Sequence, residues 1–132
     1  MIFVDSNVPM YVIGGDRRLK GEAELVVARL IREERRLVTS SEVFQELLHR
    51  YGSSEQQTRL EAAFEALRDM VDDVLPVTES DVFAAKGLLY ERPGLSVRDV
   101  LHLAVMRQHG IEEVLSFDTG FDAVPGVARL PR

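Results

Sequence analysis

The chain of 132 residues is 45% hydrophobic and 29% charged, holds no cysteine, and sets 16 basic against 22 acidic residues for a formal net charge of −6. Its length suits a single compact domain spanning 1–132, with a core large enough to need no staples, and the lack of cysteine excludes a disulfide framework, a thiol nucleophile and a Cys-ligated metal. The acidic balance excludes gripping nucleic acid through overall positive charge, so a nucleic-acid enzyme of this composition needs bound cations or a restricted basic rim.

Ile2-Phe3-Val4 is a short apolar, β-prone run ending at Asp5 and reads as a buried strand. Gly14-Gly15 and the basic Arg17, Arg18 and Lys20 are expected in a loop. Ala23, Val26, Val27, Leu30 and Ile31 recur at helical spacing and predict a helix from about Glu22 to Glu34. Arg36-Leu37-Val38-Thr39 reads as a second strand, after which Thr39 or Ser40 caps a helix running to Tyr51 and ended by Gly52. Glu42, three residues after Thr39, has capping-box spacing.

Ser53-Ser54 opens the next helix, through Leu60, Ala63, Phe64, Leu67 and Val71, and Val74-Leu75-Pro76-Val77 follows as an extended stretch. Thr78-Glu79-Ser80-Asp81 has capping-box spacing and starts a helix to Glu91, which Pro93-Gly94 breaks. Ser96 caps an apolar helix from Val97 to His109, stopped by Gly110. Val114-Leu115-Ser116-Phe117 reads as a strand leading into Asp118, and Gly126 to Leu130 as an edge strand. Strands alternating with helices predict an α/β domain with a mainly parallel sheet covered on both faces. No apolar run approaches the roughly 20 residues of a membrane span. The opening MIFVDSNV lacks the basic and apolar regions of a secretory signal, so a soluble cytoplasmic protein is expected.

In such sheets ligands bind beyond the carboxyl ends of the strands, where Asp5 and Asp118 are both expected. Either residue taken alone also suits a turn or a helix cap. Glu46 falls about 60° outside the apolar arc of Val43, Phe44, Leu47, Leu48 and Tyr51, at the border between core and cleft. Asp99 sits among Val97, Val100, Leu101, Leu103 and Met106, so deep burial is expected, and an unpartnered buried carboxylate is costly. Ser96-Val97-Arg98-Asp99 also has capping-box spacing, and a capped first turn can still present an oxygen to a metal. Asp122 is a fifth candidate, further from the strand end. Several carboxylates in one place resist joint ionisation unless a cation joins them. Mg²⁺ and Mn²⁺ are hard ions that prefer such oxygen ligands.

Four segments together resemble PIN domains, and within them the VapC-type toxins of toxin–antitoxin pairs. They are MIFVDSN, VTSSEVFQELL around Glu46, SVRDVLHLAVMRQHGI around Asp99, and VLSFDTGFDAVPGVARL. Each is weakly specific, but their order and separations fit and span essentially the whole chain. The resemblance implies a three-layer α/β fold with a central parallel sheet and an endoribonuclease dependent on Mg²⁺ or Mn²⁺. It maps the family's acidic catalytic and metal-binding site onto Asp5, Glu46, Asp99 and Asp118, leaves Asp122 as a variable further acid, and gives Asn7 and Ser116 supporting places. It also implies an RNA substrate, a homodimer and silencing by a cognate VapB-type antitoxin.

Weaker candidates remain beside these. His102, three residues after Asp99, has a structural role as its simplest reading, and nothing places His49 or His109 near the acids. Arg17, Arg18, Lys20 and Arg98 are candidates for touching RNA phosphates or for plain solvation. The apolar stripes of 22–34 and 55–71 suit core or dimer packing. One rival enzyme is a phosphotransferase with a strand-end aspartate nucleophile, which needs a further acid two residues on or a well-placed lysine. Here Asp5 is followed by Ser6-Asn7, and the only lysines are Lys20 and Lys86. A second rival is a non-catalytic module whose acids only bind a cation.

Overall fold

The computed structural model describes residues 1–131. Among them run β1 (Ile2–Val4), α1 (Asn7–Ile13), α2 (Arg17–Arg32), β2 (Leu37–Ser40), α3 (Ser41–Tyr51), α4 (Gln57–Met70), β3 (Asp73–Leu75), α5 (Glu79–Glu91), α6 (Val97–Gln108), β4 (Glu113–Leu115) and β5 (Ala128–Leu130). Short 3-10 turns at Ser54–Gln56 and Thr119–Ala123 precede α4 and β5. The five strands form one sheet in the order β3-β2-β1-β4-β5, and every neighbouring pair is parallel.

That order determines where the helices lie. The chain steps from β1 to β2 to β3 in one direction, then crosses back past β1 to β4 and β5 in the other. Because parallel crossovers are right-handed, α1 to α4 cover one face and α5 and α6 the other, which gives three layers. α1 packs on α2 and α4, and α5 packs chiefly on α6. The reversal falls between β1 and β4. Ile2, Phe3, Val4, Val114 and Leu115 on these central strands are fully buried, as a sheet covered on both faces requires. Among the described residues, no helix is long and apolar enough to cross a membrane.

The expected parallel α/β architecture is present, and local departures have identifiable causes. α1 was not anticipated, since its seven residues give too few turns for an apolar period to show; Pro9 sits in its first turn, where proline is tolerated. α2 begins at Arg17 rather than Glu22 because Asp16 caps it, accepting from the backbone N–H groups of Arg18 and Leu19 at 3.0 and 3.1 Å. Arg17, Arg18 and Lys20 therefore lie on an exposed helical turn and not in a loop, with Arg18 near Glu22 and Lys20 near Glu24 one turn on. The Thr39–Glu42 box does not form: Thr39 Oγ1 donates to the Val4 carbonyl at 2.9 Å and ties β2 to β1. The Thr78–Asp81 box does form, with bonds of 2.9 and 3.2 Å.

Candidate active site

Asp5 directly follows β1, and its backbone N–H donates to the Leu115 carbonyl at 3.0 Å, which holds it between β1 and β4. Ser116 directly follows β4. Its hydroxyl donates to Asp5 Oδ2 at 2.7 Å and accepts from Asn7 Nδ2 and the Asp118 backbone N–H, both at 3.1 Å. Asn7 Oδ1 in turn accepts from the Phe117 N–H at 3.2 Å. Ser6 N–H donates to the other Asp5 oxygen, Oδ1, at 2.7 Å. This network aims one carboxylate across the point where the sheet reverses direction.

The pocket there, about 370 Å³, is lined by Asp5, Glu46, Asp99 and Asp118 together with Ser6, Asn7 and the first turn of α6. The acids come from the end of β1, from α3, from α6 and from the turn after β4. A larger concavity of about 520 Å³, lined by Met1, Glu113 and Ala128 among others, lies at the opposite end of the strands. That end is away from the topological reversal.

Asp5 and Glu46 are 5% and 3% exposed. Burial raises the pKa of Asp5, and the charge of Glu46 adds to this; His102 and the bonds from Ser116 and Ser6 oppose it without prevailing. Asp99 is half-buried, not deeply buried as its apolar neighbours had suggested, because the first turn of α6 overhangs the pocket and Val97 beside it is 67% exposed. Ser96 Oγ accepts from the Asp99 backbone N–H at 3.1 Å, but the reciprocal capping bond is not made, so the Asp99 carboxylate faces the pocket. Its pKa is raised by burial and by the charges of Asp5 and Asp118. A Cβ placed at Gly120 would lie 3.3 Å from Asp118 Oδ1 and 3.6 Å from Asp99 Oδ2. This one glycine thus leaves room between two carboxylates.

Asp122 has a different environment. Its oxygens accept from Arg129 Nε and Nη2 at 2.8 and 3.1 Å, it does not line the pocket, and this pair lowers its pKa. His49 and His109 are exposed and lie outside the pocket.

His102, for which a structural role is the simplest sequence reading, lies buried against two of the acids without lining the pocket. It is 1% exposed, with Nε2 2.6 Å from Glu46 Oε1 and 3.6 Å from Asp5 Oδ1. The Glu46 contact is short but poorly directed, and Nδ1 has no partner among the described residues. Burial disfavours the imidazolium; the Glu46 contact and the charges of Asp5, Glu46 and Asp99 outweigh it and raise the His102 pKa. Burial likewise opposes the Glu46 anion, yet His102, helped by Ser6 and Arg98, draws its pKa down. One oxygen or nitrogen from each of Asp5, Glu46 and His102 falls within 4.8 Å of the others, a spacing that suits a cation. The available signal was a polar side chain three residues after Asp99, on the same side of the helix and alone among the apolar residues from Val100 to Met106.

The PIN domain model matches residues 2–127 of this sequence. The chain belongs to the PIN-domain family. This PIN domain is 43% identical over 130 residues to a VapC ribonuclease of Mycobacterium bovis and to ribonuclease VapC13 of Mycobacterium tuberculosis, covering 98% of this chain and 99% of each relative. It is 38% identical over 118 residues to ribonuclease VapC23 of Mycobacterium tuberculosis, covering 89% of this chain and 93% of the relative. Among solved structures, its fold is similar to FitAcB from Neisseria gonorrhoeae, with a TM-score of 0.75, 19% identity and coverage of 98% and 96% of the two chains. It is also similar to VapC20 of Mycobacterium tuberculosis, a sarcin-ricin-loop-cleaving toxin, with a TM-score of 0.66, 28% identity and coverage of 93% and 94%.

Proposed function

We propose that this PIN domain is a Mg²⁺- or Mn²⁺-dependent endoribonuclease, the VapC-type toxin of a toxin–antitoxin pair, with Asp5, Glu46, Asp99 and Asp118 as its catalytic metal ligands. The observation that carries the reading is the convergence of these acids, from four separate segments, on one pocket of a chain 43% identical to VapC ribonucleases. Assembly as a homodimer and with a VapB-type antitoxin belongs to the same reading and rests on that similarity.

The residues fit a hard divalent ion. The pocket acids supply oxygen ligands only; burial raises the pKa values of Asp5 and Asp99, neighbouring acids add to both (Glu46 for Asp5, Asp5 and Asp118 for Asp99), and a cation would relieve both. When bound, such an ion polarises the scissile phosphodiester and lowers the pKa of water for in-line attack. The chain's own contribution is orientation. Ser116 and Ser6 each donate to one oxygen of Asp5 and so fix its carboxylate at the pocket wall. His102, which does not line the pocket, sits 2.6 Å from Glu46 and draws its pKa down against burial, favouring the ionised carboxylate that a metal ligand must be. Asp122, held by Arg129, anchors the turn that presents Asp118 and is not assigned to the ligand set.

A phosphotransferase is disfavoured because neither lysine lines the pocket and the residue two on from Asp5 is Asn7, not an acid. The test is incubation of purified protein with RNA. Cleavage is expected with Mn²⁺ or Mg²⁺, none with EDTA, and a loss of at least about 100-fold in Asp5→Asn. Full activity in Asp5→Asn would sink the mechanism, and RNA left intact at every metal concentration would favour a cation-binding module without catalysis.

A further inference from the structure

Arg98 is the second residue of α6, directly before Asp99, and it is the one basic residue among those lining the carboxylate pocket. Its side chain is exposed and makes no ion pair or hydrogen bond among the described residues. Arg35, Arg36 and Arg129 are committed to Glu113, Asp73 and Asp122, and arginines that also lack such a pair, Arg17 and Arg107 among them, do not line this pocket, so the place of Arg98 is what sets it apart. Arg98 stands near several acids without pairing with any of them, yet close enough for its charge to help His102 draw the pKa of Glu46 down and to oppose in part the rise that burial and Glu46 impose on Glu42.

That arrangement is unusual for a residue whose only task is to neutralise the acids, because a guanidinium gains most by bidentate pairing with a carboxylate. Its free donors are instead left at the pocket mouth, on a helix turn fixed by the Ser96 cap. A chain of net charge −6 repels a polyanion over most of its surface. A cation at the rim therefore acts where a phosphodiester backbone must arrive. The same fork geometry that matches a carboxylate matches two phosphate oxygens.

We propose that Arg98 is the substrate-positioning residue that grips a backbone phosphate of the RNA beside the scissile one. This rests on the ribonuclease reading and adds to it a contact that bears on binding more than on the chemical step. Lysine keeps the charge but not the fork, so Arg98→Lys retains the electrostatic part and loses part of the affinity.

The test uses a short fluorescein-labelled RNA of mixed sequence, titrated in Ca²⁺ over a series of salt concentrations, with steady-state cleavage in Mn²⁺ beside it. Arg98→Ala is expected to weaken binding about tenfold and to reduce the slope of log K against log salt by about 0.7, the value for one phosphate contact on a single strand. KM should rise with kcat within about threefold, and Arg98→Lys should restore the slope. Direct titration of RNA-free Arg98→Ala with Mn²⁺ should show affinity equal to or tighter than that of the wild type, since a nearby positive charge has gone. If alanine leaves the RNA slope and affinity unchanged, or alters only Mn²⁺ affinity, Arg98 is an internal counter-charge and the inference is overturned. Wild-type protein that neither binds nor cleaves the RNA would overturn the ribonuclease reading itself, so the two failures are distinguishable. Arg98 is exposed and packs no core, so an unchanged thermal midpoint is expected for each variant.

Discussion

Asp99 sits in the first turn of α6 with its carboxylate half-buried, and burial together with the charges of Asp5 and Asp118 raises its pKa above the usual 3.8. A carboxyl group whose folded pKa is raised binds its proton more tightly in the folded state. Its contribution to stability is therefore full below the unfolded pKa and is lost as pH rises through the folded pKa. In the metal-free protein Asp99 works against folding near neutrality. Asp99→Asn should raise the thermal midpoint at pH 7 by a few degrees, and the gain should vanish on acidification below pH 3.8. Scanning calorimetry of both proteins with EDTA checks this. Mn²⁺ should raise the midpoint of the wild type far more than that of Asp99→Asn. A variant less stable than the wild type at pH 7 would show that the helix N-terminus, which favours a negative charge there, outweighs burial.

The turn between β4 and β5 shows how an element sets a side chain. Asp118 N–H donates to Ser116 Oγ, Gly120 N–H donates to Asp118 Oδ1 at 2.9 Å, and Arg129 on β5 reaches back to clasp Asp122 and to donate to the Ser116 carbonyl at 3.2 Å. Strand β5 thereby anchors the turn that carries Asp118, at a distance from the pocket. Arg129→Met removes the fork to Asp122 and the bond to Ser116 at once, and is expected to weaken Mn²⁺ binding about tenfold. Asp122→Asn keeps an acceptor for Arg129 and should change that affinity by less than about threefold. Isothermal titration of the RNA-free protein distinguishes them: if Asp122→Asn loses Mn²⁺ as severely as Asp118→Asn, then Asp122 is a ligand and the anchoring role fails.

At the scale of the whole molecule, the proposed ribonuclease activity would reconcile a net charge of −6 with a polyanionic substrate only locally, through a cation held by the carboxylate pocket and the rim arginine beside it. The VapC-type reading carries a cellular consequence. Expression of the wild type alone should slow growth of a bacterial host, Asp5→Asn should not, and co-expression of a VapB-type antitoxin should restore growth. Normal growth with confirmed soluble wild-type protein would count against the toxin role while leaving the nuclease chemistry open.

The sequence by itself determined the parallel α/β architecture. Apolar runs as short as Ile2-Phe3-Val4, alternating with helical periods, have no other way to bury both faces. It also placed Asp5 at a strand end, because a polar residue that interrupts such a run marks where the chain leaves the core, whereas β4 stops at Leu115 and leaves Asp118 in the turn beyond the expected strand end. It could not yield α1, whose two turns are too short for a period, nor the start of α2, whose first turn is too exposed to show one. Above all it could not place His102 against Glu46, or Arg129 against Asp122. Both pairs join elements distant along the chain, and their contacts exist only once the crossovers fix which helices and strand ends meet. Periodicity reports which face of an element is buried; only the tertiary structure decides what that face is buried against.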